Sequence, residues 1–316
     1  MARLIVVTPN PAVDTTYAVE AQAVGESHRV LDVQRRPGGK GINVARGLAA
    51  LGHDPVCVLP LGGTSGAWVA AAVGDLGLEA SVTPIAGLTR TCVAVTDAAA
   101  HPTVYNEPGP DVSPAEWDAL LADVARLLDG AAMLVVSGSL PRGTDVAVVA
   151  RLVAAARAAG VPVLLDVSGA SLLAAADAGA DVVKPNADEL LAATGAATVA
   201  DGVAELRRRG AGLVVVSRGT AGLVASASAG EYSAAAVPGI TGNPTGAGDA
   251  ATAGLAAALL DGRPVEDALR WAAAMGAAAV LRPVAGEVDV DAFRRFVASG
   301  PAPRTPDQPT DESSAP

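Results

Sequence analysis

From residue 111 onward, short β-branched runs alternate with Ala- and Leu-rich stretches of helical period. MLVVSGSLP (133–141), VPVLLDVSG (161–169), DVVKPNADEL (181–190) and AGLVVVSRGTAG (211–222) read as strands. Residues 113–129, 145–159 and 200–209 read as helices, with a short helix before strand 181–190. A strand that regains its starting end through a helix can only pair in parallel with its predecessor. The pattern therefore predicts an α/β fold: a doubly wound, mostly parallel sheet flanked by helices. Hydrophobic residues are 51% of the chain but aromatics only 3%, so Ala, Val and Leu must build the core.

In such sheets ligands bind outside the carboxyl ends of the strands. Ser137, Gly138 and Ser139, then Asp166, then Lys184, Asn186 and Glu189, then Ser217 and Gly219 all fall at those ends. Four polar strand ends in succession argue for a shared crevice, although solvent exposure alone also makes turns polar. RLIVVT (3–8) reads as another strand, and the turn after it delivers Asp14. Asp14 could accept hydrogen bonds from two substrate hydroxyls, or simply serve its own turn.

Two glycine-rich turns run into helices. TGNPTGAGDAATAGLAAALL (241–260) puts Gly246, Ala247 and Gly248 where backbone amides and the helix dipole favour an oxyanion. Asp249 follows at once. A carboxylate beside a bound phosphate is expected if it takes a proton from the attacking group; otherwise it is a first-turn acid stabilising its helix. RPGGKGINVARGLAALG (36–52) places Gly38, Gly39, Lys40 and Asn43 at a second helix start, a candidate anion or polyol site that is not G-x-G-x-x-G.

Residues 15–35 alternate loosely, as extended strands of a small exposed sheet carrying His28 and Arg29 on a solvated face. Strand 55–63 and helix 65–77 form another βα unit; 89–97 and 102–110 read as a lid hairpin turning at Ala98–His101. Arg90 opens that hairpin, either as a phosphate fork or as an ordinary surface arginine. A hairpin-like stretch is expected after Tyr232, then helices 265–281 and 289–298. The tail from Ser299, rich in Pro, Ser and acid, is expected to be disordered and dispensable.

The net charge of −11 opposes nucleic acid and anionic membranes as partners. With no membrane-spanning run and no leader, the expected location is the cytoplasm. Cys57 and Cys92 are expected to be buried, reduced thiols.

The two motifs GGKGINVARGLAALG and NPTGAGDAATAGL, with SGSLPRG (137–143), DVSG (166–169), KPNADEL (184–190) and SRGTAG (217–222), resemble those of the ribokinase/PfkB family of sugar kinases. The similarity extends over residues 3–298 and points to the phosphosugar branch, which holds 1-phosphofructokinase, tagatose-6-phosphate kinase and the minor 6-phosphofructokinase. It implies one kinase domain over 1–298, with lid segments 11–35 and 88–109 and a tail at 299–316. Its substrates would be ATP and a sugar phosphate, with Mg²⁺ as cofactor and a homodimer through the lid. Asp249 would be the general base, and Gly246, Ala247 and Gly248 the anion hole. Asp14, Gly38, Gly39 and Asn43 would hold sugar hydroxyls; Lys40 and Arg90, with Ser139, the sugar's phosphate. Asn186 and Glu189 would organise Mg²⁺ through water, and Lys184 would meet the nucleotide phosphates. Ser217, Gly219, Thr220 and Gly222 would form the nucleotide loop, with Thr241, Asn243 and helix 271–278 beside adenine. Asn243-Pro244 departs from the Ser/Asp-Thr of many relatives and resembles tagatose-6-phosphate kinases. The GESHRV stretch and Lys40 resemble the 1-phosphofructokinase and tagatose-6-phosphate kinase types. Fructose 1-phosphate is the leading acceptor; alternatives are another hexose phosphate, or a non-catalytic sensor of nucleotide or sugar phosphate.

Overall fold

The computed structural model describes residues 3–97 and 102–299. The chain opens with β1 (Arg3–Val7), then β2 (Ala12–Ala18), β3 (Asp32–Gly38) and α1 (Lys40–Ala50). It continues through β4 (Asp54–Leu61), α2 (Gly63–Asp75), β5 (Glu79–Pro84), β6 (Arg90–Thr96) and β7 (Thr103–Asn106). Then follow α3 (Pro114–Leu127), β8 (Met133–Ser137), α4 (Ala147–Ala158), β9 (Val163–Asp166), α5 (Ala170–Asp177) and β10 (Val182–Val183). Last come α6 (Ala187–Thr194), α7 (Val199–Arg209), β11 (Leu213–Ser217), β12 (Leu223–Ala227), β13 (Gly230–Ala234), α8 (Ala247–Leu260), α9 (Val265–Val280) and α10 (Val290–Ser299).

Nine strands form the main sheet in the order β13-β12-β11-β10-β9-β8-β1-β4-β5, parallel except where β12 and β13 fold back as a hairpin. Alternate residues feed two cores. Leu4 and Val6 join the Ala-rich helices α1, α8 and α9 on one face, while Ile5 and Val7 join α3, α4, α5 and α7 on the other. Both faces being covered explains why these strands are continuously apolar. The chain moves outward from β1 in both directions, so β1 and β8 flank the topological switch point. A second sheet, β3-β2-β6-β7, stands apart from the first.

Several boundaries differ from the sequence reading. The strand expected over 181–190 is only Val182–Val183, because Asn186 and Glu189 form a reciprocal capping box that starts α6. The strand expected over 211–222 ends at Ser217; a 3₁₀ turn at Gly219–Ala221 and Gly222 at φ +79° lead into β12. The late hairpin is 223–234, rather than a stretch after Tyr232. Glu79–Pro84, unread as a strand, extends the sheet as its outermost parallel member. His28 and Arg29 lie in the loop between β2 and β3, not on a strand face. Cys57 is buried, but Cys92, on the lid, is half-buried. Ser299 ends α10, while the remainder of the expected tail and the turn at Ala98–His101 lie outside the described residues.

Candidate active site

Asp249 stands in the first turn of α8, after Gly246, an N-cap at φ +82° that suits glycine. A Cβ on Gly246 would also sit 3.0 Å from Ala285 Cβ. A Cβ on Gly248 would meet nothing within 4 Å, so the backbone there borders open space. Ala247 N–H is already spent on Pro244 O at 3.1 Å, which leaves Gly248 as the freer donor of the expected anion hole.

Asp249 is 7% exposed, and Asn43 Nδ2 donates to its Oδ2 at 2.8 Å. The backbone makes this reach possible. A Cβ on Gly47 would lie 2.8 Å from Ala253 Cβ, so α1 and α8 touch one turn below Asn43 and Asp249. Burial, followed by the Asp166 carboxylate, pushes Asp249 up to about 7; Asn43, Lys40 and Lys184 oppose the rise. A carboxyl group near 7 is matched to proton abstraction at neutral pH.

Asp166, at the end of β9, is the hub of the charges around Asp249. It is 2% exposed. Burial works against its charge, but Lys184 Nζ 3.4 Å from Oδ2 and Lys40 Nζ 3.7 Å from Oδ1 keep it below the usual carboxylate range. Thr252 Oγ1 adds a hydrogen bond at 2.6 Å. Asp166, chiefly, also raises Lys40 above its ordinary value, burial opposing and Glu189 and Asp249 assisting. Lys40 Nζ reaches Glu189 Oε1 at 3.3 Å, so Lys40 sits between two acids rather than alone at an anion site.

Asp14, on β2, is pushed up to about 6 by burial, with Arg90 drawing it down. It packs over Gly38, where a Cβ would lie 2.1 Å from its Cγ. Gly39 is likewise confined, at φ +111° and with a Cβ position 2.7 Å from Thr8 Cγ2. Arg90 donates to Asn10 O from Nε and Nη2, at 3.2 and 2.9 Å, and to Glu107 O at 2.9 Å. Those bonds brace the root of the lid. Ser139 is exposed beyond the end of β8, while the Thr8 and Ser137 hydroxyls at the switch point are buried without a partner.

On the other flank, Asn186 pairs with Ser217 through an isolated parallel bridge, joining the start of α6 to the expected nucleotide loop. Asn186 Oδ1 accepts from Glu189 N at 2.8 Å, and Glu189 Oε2 from Asn186 N at 2.9 Å. Gly222 approaches Ala234 O so closely that a Cβ would fall 2.2 Å away. Thr220 lies exposed in the 3₁₀ turn. Thr241 is exposed in the loop before α8, and two residues on Asn243 anchors that loop through Nδ2 to Pro283 O at 2.9 Å. The loop thus meets the end of α9 at Val280 and the residues beyond it. Thr252 was not among the expected site residues, and Asp166 was expected only as a polar strand end and part of the DVSG motif, with no role of its own.

A sequence profile described as the pfkB family carbohydrate kinase matches residues 7–291. The chain belongs to that family. The 1-phosphofructokinase of Xanthomonas campestris is 38% identical over 267 residues, spanning 81% of this chain and 84% of that protein. The ATP-dependent 6-phosphofructokinase isozyme 2 of Mycobacterium tuberculosis is 32% identical over 301 residues, 93% of this chain and 88% of the relative. Phosphofructokinase-2 from Escherichia coli, solved in complex with fructose-6-phosphate, superposes with a TM-score of 0.86 at 29% identity, covering 94% of this chain and 99% of that one. The pfkB assignment makes the chain an ATP-dependent sugar kinase. Among the described residues no helix is long and apolar enough to cross a membrane.

Proposed function

We propose that the chain transfers the γ-phosphoryl group of ATP to fructose 1-phosphate, giving fructose 1,6-bisphosphate and ADP. The observation that carries the reading is the buried Asp249, held by Asn43 and poised near 7, at the mouth of a glycine-started helix. The choice of acceptor rests on the similarity to the 1-phosphofructokinase of Xanthomonas campestris and on Lys40 in the GGKG turn.

Asp249 takes the proton of the attacking hydroxyl as its oxygen bonds to the γ-phosphorus and the bond to the β-phosphate oxygen breaks. The Gly248 N–H, with the dipole of the helix that Gly246 and Ala247 open, faces the transferred group, where charge spreads over its oxygens. Lys184, held by Asp166 at 3.4 Å, supplies positive charge beside that group. Asp14, Gly38, Gly39 and Asn43 hold the sugar; Arg90 and Ser139, with Lys40, face its phosphate. Ser217, Gly219, Thr220, Gly222, Thr241 and Asn243 line the nucleotide side.

A divalent cation, Mg²⁺, fits beside Asn186 and Glu189. Asn186 is exposed and the Glu189 side chain 22% exposed, so both are open to water, whereas no group of three or more acidic, His or Cys side chains gathers among the described residues. Coordination through water follows, and the cation would neutralise the β- and γ-phosphates. Val33 on β3 and Val104 and Tyr105 on β7 leave the lid sheet with exposed apolar side chains, which we assign to a homodimer contact. A reaction that consumes ATP fits a cytoplasmic location for the enzyme.

The test is ADP release with Mg-ATP, comparing kcat/KM for fructose 1-phosphate, tagatose 6-phosphate, fructose 6-phosphate and fructose. Preference for fructose 1-phosphate is expected. Preference for another hexose phosphate would transfer the assignment to it, and activity on fructose alone would overturn the roles of Lys40 and Arg90.

A further inference from the structure

Helix α8 is made of Ala, Gly and Leu except at Asp249 and Thr252. Thr252 is fully buried. In a helix where Ala is the rule, Thr is the poorer helix former, and a buried hydroxyl costs free energy unless it is hydrogen-bonded. Its retention calls for a partner. Thr252 lies three residues beyond Asp249, on the same side of the helix. Its Oγ1 is 2.6 Å from Asp166 Oδ2 and 3.0 Å from Gly248 O. One hydroxyl carries one proton, so it serves one of these acceptors at a time. Bonding to the carbonyl four residues back is the ordinary habit of a helical Thr. The shorter contact, to an ionised carboxylate, is the stronger.

We infer that Thr252 is a positioning residue, whose hydroxyl donates to Asp166 Oδ2 and fixes the carboxylate oxygen that holds Lys184 beside the transferred phosphoryl group. Asp166 meets Lys40 through Oδ1 and Lys184 through Oδ2. Both ammonium groups end long stems with several rotatable bonds, and the carboxylate between them turns about a terminal torsion that is broad when nothing fixes it. Thr252 is the neutral donor that sets that torsion. Because it shares the first turns of α8 with Asp249, the same helix places the base and the Lys184 ammonium. The inference rests on the kinase reading above.

The experiment compares wild type, Thr252→Val and Thr252→Ser in steady-state kinetics with Mg-ATP and fructose 1-phosphate, or whichever acceptor the wild type prefers. Val keeps the shape and loses the donor; Ser keeps the donor. For Thr252→Val, kcat falls roughly 10–100-fold while KM for the sugar phosphate stays within about twofold, as expected when a bond to a charged group matters in the transition state. Thr252→Ser stays within about threefold of wild type. In an Asp166→Asn background, Thr252→Val costs less than about threefold, because the two residues act as a unit. If Thr252→Val does not fold by circular dichroism, Thr252→Ala replaces it in the same comparison. Equal activity of the Val and Ser variants, or a full loss that persists beside Asp166→Asn, overturns the assignment while the kinase reading stands. A wild type that phosphorylates no sugar overturns both.

Discussion

Asn43 Nδ2 stands 2.8 Å from Asp249 Oδ2, across 206 residues of chain. The bond stabilises the charged carboxylate and so opposes the rise that burial and Asp166 impose. Asn43→Ala removes that opposition. The acid limb of kcat/KM should move to higher pH, and turnover at pH 7 should fall because less base is ionised. The check is a pH–rate profile of the variant beside wild type; an unmoved limb would assign Asn43 to the sugar alone.

Gly47 tests the helix contact that brings this pair together. Ala is the better helix former by about 1 kcal/mol. Yet a Cβ at Gly47 would sit 2.8 Å from Ala253 Cβ, and overpacking costs about 1–3 kcal/mol. Overpacking wins, so Gly47→Ala should lower Tm and reduce kcat by spreading Asn43 from Asp249. A raised Tm with unchanged kcat would show that α1 and α8 are not so tightly apposed.

As the proposed base, Asp249 would trade stability for chemistry. Its folded value of about 7 lies above the ordinary 3.8, so the folded state holds this proton more tightly than the unfolded chain does. Its contribution is therefore most favourable below about pH 4 and is lost between about pH 4 and 7 as the unfolded chain alone ionises. Asp249→Asn should raise Tm at pH 8 by a few degrees and change it little at pH 4. Thermal melts at the two pH values decide this; a lower Tm at pH 8 would contradict it.

Arg90 was expected to hold a phosphate, and its guanidinium braces Asn10 O and Glu107 O at the root of the lid. Lys keeps the charge but not the fork. Arg90→Lys should raise KM for the sugar phosphate by about tenfold with KM for ATP unchanged, and speed hydrogen exchange in β6 and β7. Near-normal KM with unchanged exchange would mean that charge alone suffices.

The parallel sheet was legible because alternation in the sequence is local, and so were the glycine turns before α1 and α8. The hairpin β12–β13 was displaced in the reading because Ala and Ser carry weak strand preference, and β5 because EASVTP lacks a continuous apolar run. N-x-x-E read as a strand end, although Asn186 and Glu189 cap a helix through their own backbone amides. Asp14, Lys40 and Asp249 could be named from their turns. What no local pattern carries is who meets whom: Asn43 with Asp249, Lys40 with Asp166 and Glu189, and Thr252 with Asp166. Those pairings follow from strand order and helix crossing, which join residues far apart in the chain.

The pH dependence of kcat/KM for the preferred sugar phosphate, measured for wild type and Asp249→Asn, tests the central claim that Asp249 is the base. An acid limb near 7 is expected in wild type. Asp249→Asn should lose that limb and about 10²–10⁴-fold in rate, while keeping the lower limb near 6 that Asp14 and the substrate's own phosphate produce. Undiminished turnover in Asp249→Asn, or a limb near 7 that survives the substitution, would contradict the account.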